Sequence, residues 1–87
     1  MKYQVILRPG VRKALNGLAE HDYQAILFRL RSLAEEQRPP DVKKLAGTTL
    51  WRLRVRDFRI VYSVNDKESM VIIVRIARRR EDTYKGL

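Results

Sequence analysis

The residues of this chain best suited to chemistry are arginines, and several of them fall in one short segment. If that segment folds as a hairpin with its turn at residues 56–57, Arg54 faces Arg59 across the strands and Arg52 lies on the same face. Like charges placed opposite one another destabilise an antiparallel ladder by roughly 0.2–1 kcal/mol. A cluster of this kind indicates an anion site, and phosphate is the leading candidate because guanidinium groups bind it bidentately.

The opposite face of the same hairpin carries large apolar residues, which predicts that it covers a hydrophobic core. The facing pairs are Trp51 with Tyr62, Leu53 with Ile60, and Val55 with Phe58. The aromatic residues share their face with aliphatic ones. We therefore interpret them as core residues rather than as platforms on which bases stack.

The composition indicates one small and strongly basic domain. The 87 residues include 19 lysines and arginines against 10 acidic residues, which gives a net charge of +9. Both halves of the chain share this excess, and the most lopsided stretch is 43–59, with six basic residues and one acidic residue. The positive electrostatic potential of such a chain favours binding to nucleic acid, to ribosomes or to an acidic protein, and it does not decide among these partners.

Several classes of protein are excluded or disfavoured. The chain has no cysteine, so it can form neither a disulfide nor a thiolate metal site. Its N-terminus lacks the apolar region of a signal peptide, and its longest apolar run, 70–74, is far shorter than the ~20 residues that span a bilayer. His21 has no partner at metal or triad spacing, and no carboxylates cluster at the spacing of metal ligands. We expect a cytoplasmic protein without a metal, a cofactor or a membrane contact.

The apolar pattern predicts an α+β fold in the order β-α-α-β-β-β, with two N-terminal helices packed on a small antiparallel sheet. The chain shows no domain boundary, so residues 1–87 are interpreted as a single domain. The predicted elements are a strand at 3–8, a helix after Pro9-Gly10, a second helix from an N-cap at Asp22 to Pro39-Pro40, an irregular connector at 41–49, the hairpin, and a strand at 70–76.

The register of the last strand follows if its turn is a five-residue loop. In that register Ile72, Val74 and Ile76 join the apolar face, and Arg75 lies opposite Arg59. A slip of one residue would reverse these assignments. The helices then cover one face of the sheet and leave the arginine-bearing face at least partly open.

Three segments, taken in their order and spacing, resemble the RelE/ParE superfamily of toxins from type II toxin–antitoxin pairs. They are a basic segment at 43–47, the hairpin at 51–62 with its Asp-aromatic-Arg-x-x-Tyr return, and an arginine-rich segment at 77–84 that ends in tyrosine. The resemblance covers essentially the whole chain. It implies two helices on an antiparallel sheet, as the apolar pattern does, and a cognate antitoxin as partner.

The family has two functional branches. RelE-like members cleave messenger RNA in the ribosomal A site, whereas ParE-like members poison DNA gyrase and have no nuclease site. Carried over by motif, the active residues of the RelE branch fall on Arg52, Arg54, Arg59, Arg79 and Tyr84. Because all five positions hold arginine or tyrosine, the resemblance favours a ribosome-dependent mRNA endonuclease. A ParE-like gyrase inhibitor is the alternative, and a degenerate toxin with only a binding or regulatory role is a third possibility.

The implied reaction sets a 2′-hydroxyl against the adjacent phosphate and leaves a cyclic phosphate and a free 5′-hydroxyl. Arg59 and Arg79 suit the binding of that phosphate and the stabilisation of charge on its oxygens. Some relatives offer lysine on the second strand, where this chain has Arg52 and Arg54. Arginine stays protonated and is a poor proton carrier, so the general base is left unassigned.

The remaining candidates are assigned less specific roles. Tyr84 could align or activate the 2′-hydroxyl, and the acidic pair at 81–82 could contribute. Further contacts to the RNA are expected from Lys43, Lys44, Arg56, Arg75 and Arg78. The arginine run at 78–80 could instead be a solvated basic surface. The whole arginine-bearing face could also dock an acidic antitoxin segment, which would neutralise the toxin by covering the site.

Overall fold

The computed structural model describes residues 2–78, and the candidates Arg79, Glu81, Asp82 and Tyr84 lie outside that range. The elements are β1 (Gln4–Leu7), α1 (Pro9–Asn16), α2 (Glu20–Ser32), β2 (Lys43–Lys44), β3 (Leu50–Val55), β4 (Phe58–Asn65) and β5 (Met70–Arg78). The strands form one sheet in the order β1-β5-β4-β3-β2. The predicted α+β class, with two helices packed on a sheet, is confirmed.

The sheet differs from the prediction in two details. Strands β2 to β5 pair in antiparallel fashion, but β1 joins β5 in parallel, so the sheet is mixed. The connection between these two parallel strands is long, as a parallel pairing requires, because it contains both helices and strands β2 to β4. The connector at 41–49 contains β2, whose two residues are too few to produce an alternating pattern in the sequence.

Helix α1 begins at a proline, close to its predicted start, whereas the boundaries of helix α2 differ from the prediction. Pro9 occupies the first turn of α1, where the missing N–H of proline costs nothing. Helix α2 begins three residues earlier than predicted, with Ala19 rather than Asp22 as its N-cap, and it ends at Ser32, before the predicted stop at Pro39-Pro40. Asp22 lies in the first turn instead, where a negative charge interacts favourably with the helix dipole.

The hairpin of β3 and β4 has the predicted register. Trp51 pairs with Tyr62, and Arg54 pairs with Arg59. Of the six apolar residues in the predicted pairs, five are buried and Trp51 is partly buried against the core. A two-residue turn fixes the pairing, so a one-residue error would have exposed the entire apolar face.

The register of β5 differs from the prediction because the turn holds four residues rather than five. Asn65 pairs with Met70, which places Val71 and Ile73 in the core; the prediction that Ile72 and Val74 face the core is therefore wrong. A β-bulge opposite the Val61/Tyr62 step then shifts the register by one residue.

The bulge also repositions Arg75. This residue pairs with Val61, whereas Arg59 pairs with Ala77, so the predicted facing of Arg75 and Arg59 is wrong. Beyond the bulge Ile76 packs against the core, as predicted. Arg75 therefore keeps its place on the face of the sheet opposite the core.

The buried core lies entirely between the helices and one face of the sheet. Its members are Val11, Leu15, Ile26, Leu30, Leu33, Leu53, Val55, Phe58, Ile60, Tyr62, Val71 and Ile73. Every buried side chain among residues 2–78 is hydrophobic. The alternation of side chains therefore leaves the other face of the sheet free of core packing.

The turn between β3 and β4 contains a strained residue that can be tested. Arg56 has a φ of 54°, in the left-handed region that costs a non-glycine residue roughly 1–2 kcal/mol. Its Nε also donates to Asp22 Oδ1 at 2.9 Å. We expect Arg56→Gly to be more stable than Arg56→Ala by about 1 kcal/mol, because both variants lose the ion pair but only glycine relieves the strain. Denaturant melts of the two variants measure the difference, and equal midpoints would contradict it.

Tyr62 gives the protein a specific sensitivity to alkali. Its ring is fully buried and its hydroxyl donates to the carbonyl of Gln37 at 2.7 Å. Burial raises the pKa of Tyr62 to about 12. An unfolded tyrosine ionises near pH 10, so between about pH 10 and 12 only the unfolded chain loses this proton and the free energy of unfolding falls.

The loss attributable to Tyr62 should be on the order of 2 kcal/mol across that range. We expect Tyr62→Phe to be less stable at neutral pH by about 1 kcal/mol, because the Gln37 carbonyl loses its donor. The same variant should lose less further stability between pH 10 and 12 than the wild type does. Parallel pH dependences of the two unfolding free energies would show that Tyr62 ionises equally in both states.

Candidate functional site

The outer face of the sheet, opposite the helices, gathers four arginines from three adjacent strands. They are Arg52 and Arg54 from β3, Arg59 from β4, and Arg75 from β5. We call these four residues the arginine face. They lie on that side because their register partners alternate with the core residues of the same strands.

The register arranges the arginine face in two rows that run across the strands. One row consists of Arg54, Arg59 and Ala77. The other consists of Lys43, Arg52, Val61 and Arg75. Neighbouring strands lie about 4.8 Å apart and the rows are separated by about 6.7 Å, so guanidinium groups from both rows can reach one phosphodiester group.

Between the arginines lies a small hollow, which we call the central hollow. It has a volume of about 200 Å³ and is lined by Leu45, Arg59, Val61, Arg75 and Ala77. Its floor and one wall are aliphatic, and two arginines border it. An apolar floor lowers the local dielectric constant, and interactions between the arginines and a bound anion are stronger there than in water.

The four arginines differ in how firmly they are held. Arg52 and Arg59 are partly buried, and Nε of Arg59 is excluded from solvent. Arg54 and Arg75 are exposed. The aliphatic stem of Arg59 is therefore packed while its terminus borders the central hollow, which suits a group that must be preorganised for an anion.

Two residues predicted to contact RNA lie away from this face. Arg56 forms its ion pair with Asp22 of α2. Arg78 stands opposite Phe58, with its guanidinium carbon 4.7 Å from the centre of that buried ring, on the helix side of the sheet. The alternation of β5 explains this placement, since Arg78 is three residues from Arg75 and so occupies the opposite face.

The two predicted lysines are divided in the same way. Lys43 pairs with Arg52 and extends one row of the arginine face. Lys44 pairs with Trp51, whose ring packs on the core side. Of the ten predicted site residues, the structure thus brings together Arg52, Arg54, Arg59, Arg75 and Lys43.

The sequence analysis missed the apolar lining of the central hollow. Leu45 reaches it because its N–H donates to the carbonyl of Leu50 at 2.9 Å, which extends the short pairing of β2 with β3. Gly47, with a φ of 74°, forms the intervening turn. The sequence does contain a signal for this turn, a glycine three residues before β3, but that glycine does not indicate which neighbouring side chain lies on the outer face of the sheet.

A polar cluster at the far end of the sheet fixes the β4–β5 turn. Arg38 bonds to Asp66 Oδ2 at 2.9 Å, and the hydroxyl of Tyr3 donates to Oδ1 at 2.7 Å. These two hydrogen bonds, with Arg38 the larger contributor, hold the pKa of Asp66 below its usual range. Hydrogen bonding to Asp66 raises the pKa of Tyr3 in turn. Since Arg38 also lies 5.5 Å from the Trp51 ring, the cluster ties this turn to β3.

The described part of the chain lacks both a cluster of metal ligands and a membrane-spanning helix. Among residues 2–78, no three side chains of the types that hold metal ions lie close together. The helices of that range are each too short or too polar to cross a membrane. The arginine face is thus the main concentration of chemistry-bearing side chains in the described sheet.

Comparison with known proteins identifies the family. The family described as ParE toxin of the type II toxin–antitoxin system, parDE, matches residues 5–83. The chain belongs to the RelE/ParE superfamily of toxins. A search of curated protein sequences found no significant match.

Solved structures also resemble this toxin over nearly its whole length. A chain of the archaeal RelE–RelB complex from Pyrococcus horikoshii OT3 is 35% identical, with a TM-score of 0.82, and the match covers 91% of this chain and 97% of that one. A chain of the RelBE2 toxin–antitoxin complex from Mycobacterium tuberculosis is 23% identical, with a TM-score of 0.78 and coverages of 91% and 100%. The isolated RelE toxin of E. coli is 17% identical, with a TM-score of 0.77 and coverages of 98% and 99%. The last two matches establish the fold alone.

Proposed function

We propose that this toxin is a ribosome-dependent mRNA endonuclease that arrests translation. The observation that carries the proposal is the convergence of Arg52, Arg54 and Arg59 on one face of the sheet, opposite the described helices. These are three of the five positions that the RelE branch uses. The similarity to an archaeal RelE–RelB structure at 35% identity supports the same branch.

In the proposed reaction the arginine face binds the phosphodiester group that is to be cleaved. The 2′-hydroxyl of the preceding nucleotide attacks the phosphorus, and the 5′-oxygen of the next nucleotide leaves. Arg59 and its neighbours stabilise the negative charge that develops on the non-bridging oxygens. The products are a 2′,3′-cyclic phosphate and a free 5′-hydroxyl.

The arginines contribute charge stabilisation and alignment rather than proton transfer, because a guanidinium group stays protonated at physiological pH. The ribosome supplies the other part of the alignment by holding the message in the geometry needed for in-line attack. Positioning of this kind is worth several kcal/mol of the barrier on its own. Arg79 and Tyr84 are proposed to complete the site, with Tyr84 acting on the 2′-hydroxyl.

A cognate antitoxin is the proposed regulatory partner. The matched chains from P. horikoshii and M. tuberculosis come from complexes with antitoxins, and the arginine face offers an acidic segment a complementary surface. Covering this face would block access of RNA to the site. We expect the toxin to purify from its native host together with a small protein, and recovery of the toxin alone would contradict this proposal.

A second function is favoured by one observation. The matching family description is that of ParE, and ParE-like members inhibit DNA gyrase without a nuclease site. In that case the arginine face would serve only to bind protein. The two functions predict different targets, so they can be separated directly.

Induction of the toxin in a bacterial host, followed by measurement of macromolecular synthesis, tests the choice. An mRNA endonuclease stops protein synthesis first and leaves cleaved transcripts. A gyrase inhibitor triggers the DNA damage response and leaves transcripts intact. The Arg54→Gln variant should leave transcripts largely intact if the arginine face is the cleavage site, since its exposed side chain can be replaced without disturbing the core.

A further inference from the structure

A second hollow lies at the edge of the sheet, beside the arginine face. Strand β1 ends opposite Ile73 of β5, and the chain turns there into α1, whereas β5 continues to Arg78. The space between the start of α1 and the continuing β5 is a hollow of about 370 Å³, which we call the edge hollow. This volume falls within the ~300–1,000 Å³ range of small-molecule sites.

The edge hollow combines an aliphatic floor with a basic rim. Val11 and Ala14 of α1 and Val74 of β5 supply part of the floor, and Arg8 and Arg75 supply the positive charge. The first turn of α1 contains no acidic residue that would oppose an anion there. A nucleotide has matching chemistry, because its base prefers apolar or guanidinium contact while its phosphate prefers arginine.

Arg75 lines both the edge hollow and the central hollow. This shared residue results from the β-bulge, which turns Arg75 onto the outer face next to the edge of the sheet. The two hollows are therefore neighbours that share Arg75 as a lining residue. A nucleic-acid strand whose phosphate occupies the arginine face would meet Arg75 and then the edge hollow as its next contact.

We propose that the edge hollow binds a nucleotide flanking the one held on the arginine face, so that the RNA strand crosses the sheet edge at Arg75. This inference rests on the proposed function in that it takes RNA to be the ligand. The sharing of Arg75 by the two hollows favours a single extended strand over an unrelated ligand. Arg8 and the floor of the edge hollow are thus binding residues for the RNA outside the cleavage site.

A substitution at Gly10 can test binding in the edge hollow without disturbing its other lining residues. It lines the hollow, and a Cβ built on it meets no atom within 4 Å, so a larger side chain is accommodated without a clash. Gly10→Glu therefore introduces a carboxylate at the wall of the hollow, where it repels a bound phosphate. Gly17→Glu is the matched control, because it makes the same change at the other end of α1, where a Cβ finds only ordinary contacts of 3.6 Å or more.

The experiment measures fluorescence anisotropy with labelled single-stranded RNA oligonucleotides of two to eight residues. All nucleotides carry 2′-O-methyl groups, which prevents cleavage through the 2′-oxygen. We expect wild-type affinity to increase stepwise once the strand is long enough to reach the edge hollow. Gly10→Glu should weaken binding of the longer strands by about tenfold, the scale of one lost base contact, and change the shortest by less than about twofold. Arg8→Gln should show the same length dependence, and Gly17→Glu should bind all lengths like the wild type.

Two results would overturn the proposal. One is an equal affinity of Gly10→Glu and the wild type for RNA of every length. This result would overturn the proposal even if Gly10→Glu no longer bound a coexpressed antitoxin, because the edge hollow would then bind protein and not RNA. The other is an equal loss in both glutamate variants, which would reflect net charge alone. Because no cleavage is measured, the outcome is independent of the ribosomal assay. A toxin that binds RNA in this way but leaves transcripts intact would refute the proposed function and not the edge hollow.

Discussion

Replacing Arg59 by glutamine is expected to reduce mRNA cleavage by about 10²- to 10³-fold, the largest effect on activity that the site predicts. The residue borders the central hollow and its Nε is excluded from solvent, so its guanidinium group is held in place before substrate binds. Loss of one preorganised donor to a developing anion typically costs about 2.7–4 kcal/mol of barrier stabilisation. Cleavage rates on programmed ribosomes and growth after induction measure the effect.

Two further variants distinguish catalysis from packing. Arg59→Lys keeps the charge and loses the bidentate geometry, so it should recover only part of the activity. Arg54→Gln replaces an exposed side chain that faces Arg59, and it should leave the free energy of unfolding unchanged or raise it by up to about 1 kcal/mol. If Arg54→Gln and Arg59→Gln both melt earlier and remain fully toxic, the arginines are structural and the site lies elsewhere.

Replacing Ile60 by alanine is expected to lower the free energy of unfolding by about 2–5 kcal/mol, the largest effect on stability predicted here. Ile60 is fully buried and lies on β4 between Leu53 and Ile76. The neighbouring residue Val61 lies on the outer face and is only partly buried. Val61→Ala should therefore cost about 1 kcal/mol or less. Denaturant melts of the two variants test the one-sided core, and similar losses would show that the outer face is also packed in solution.

The hairpin and its arginines could be predicted from the sequence because all of the necessary information is local. A two-residue turn at 56–57 fixes the pairing of β3 with β4, and strict alternation then assigns each side chain to a face. Arg52, Arg54 and Arg59 follow directly. The two helices were likewise visible as amphipathic segments, the first of which begins at a proline.

Features that depend on distant or irregular structure could not be predicted in this way. The pairing of β1 with β5 joins opposite ends of the described chain, and no local pattern reports it. The β4–β5 turn is one residue shorter than predicted and the β-bulge near Val61 inserts one residue, and together these two shifts change the partner of Arg75 from Arg59 to Val61. Arg56 and Arg78 were assigned to RNA by charge alone, whereas Asp22 and Phe58 hold them on the helix side.

The central claim is tested most directly by adding the purified toxin to ribosomes programmed with a defined message and mapping the ends of the RNA products. We expect cleavage within the A-site codon, a 2′,3′-cyclic phosphate and a 5′-hydroxyl at the new ends, and a large loss of these products with Arg59→Gln. Intact message on arrested or fully active ribosomes would contradict the account, as would new ends that carry a 5′-phosphate.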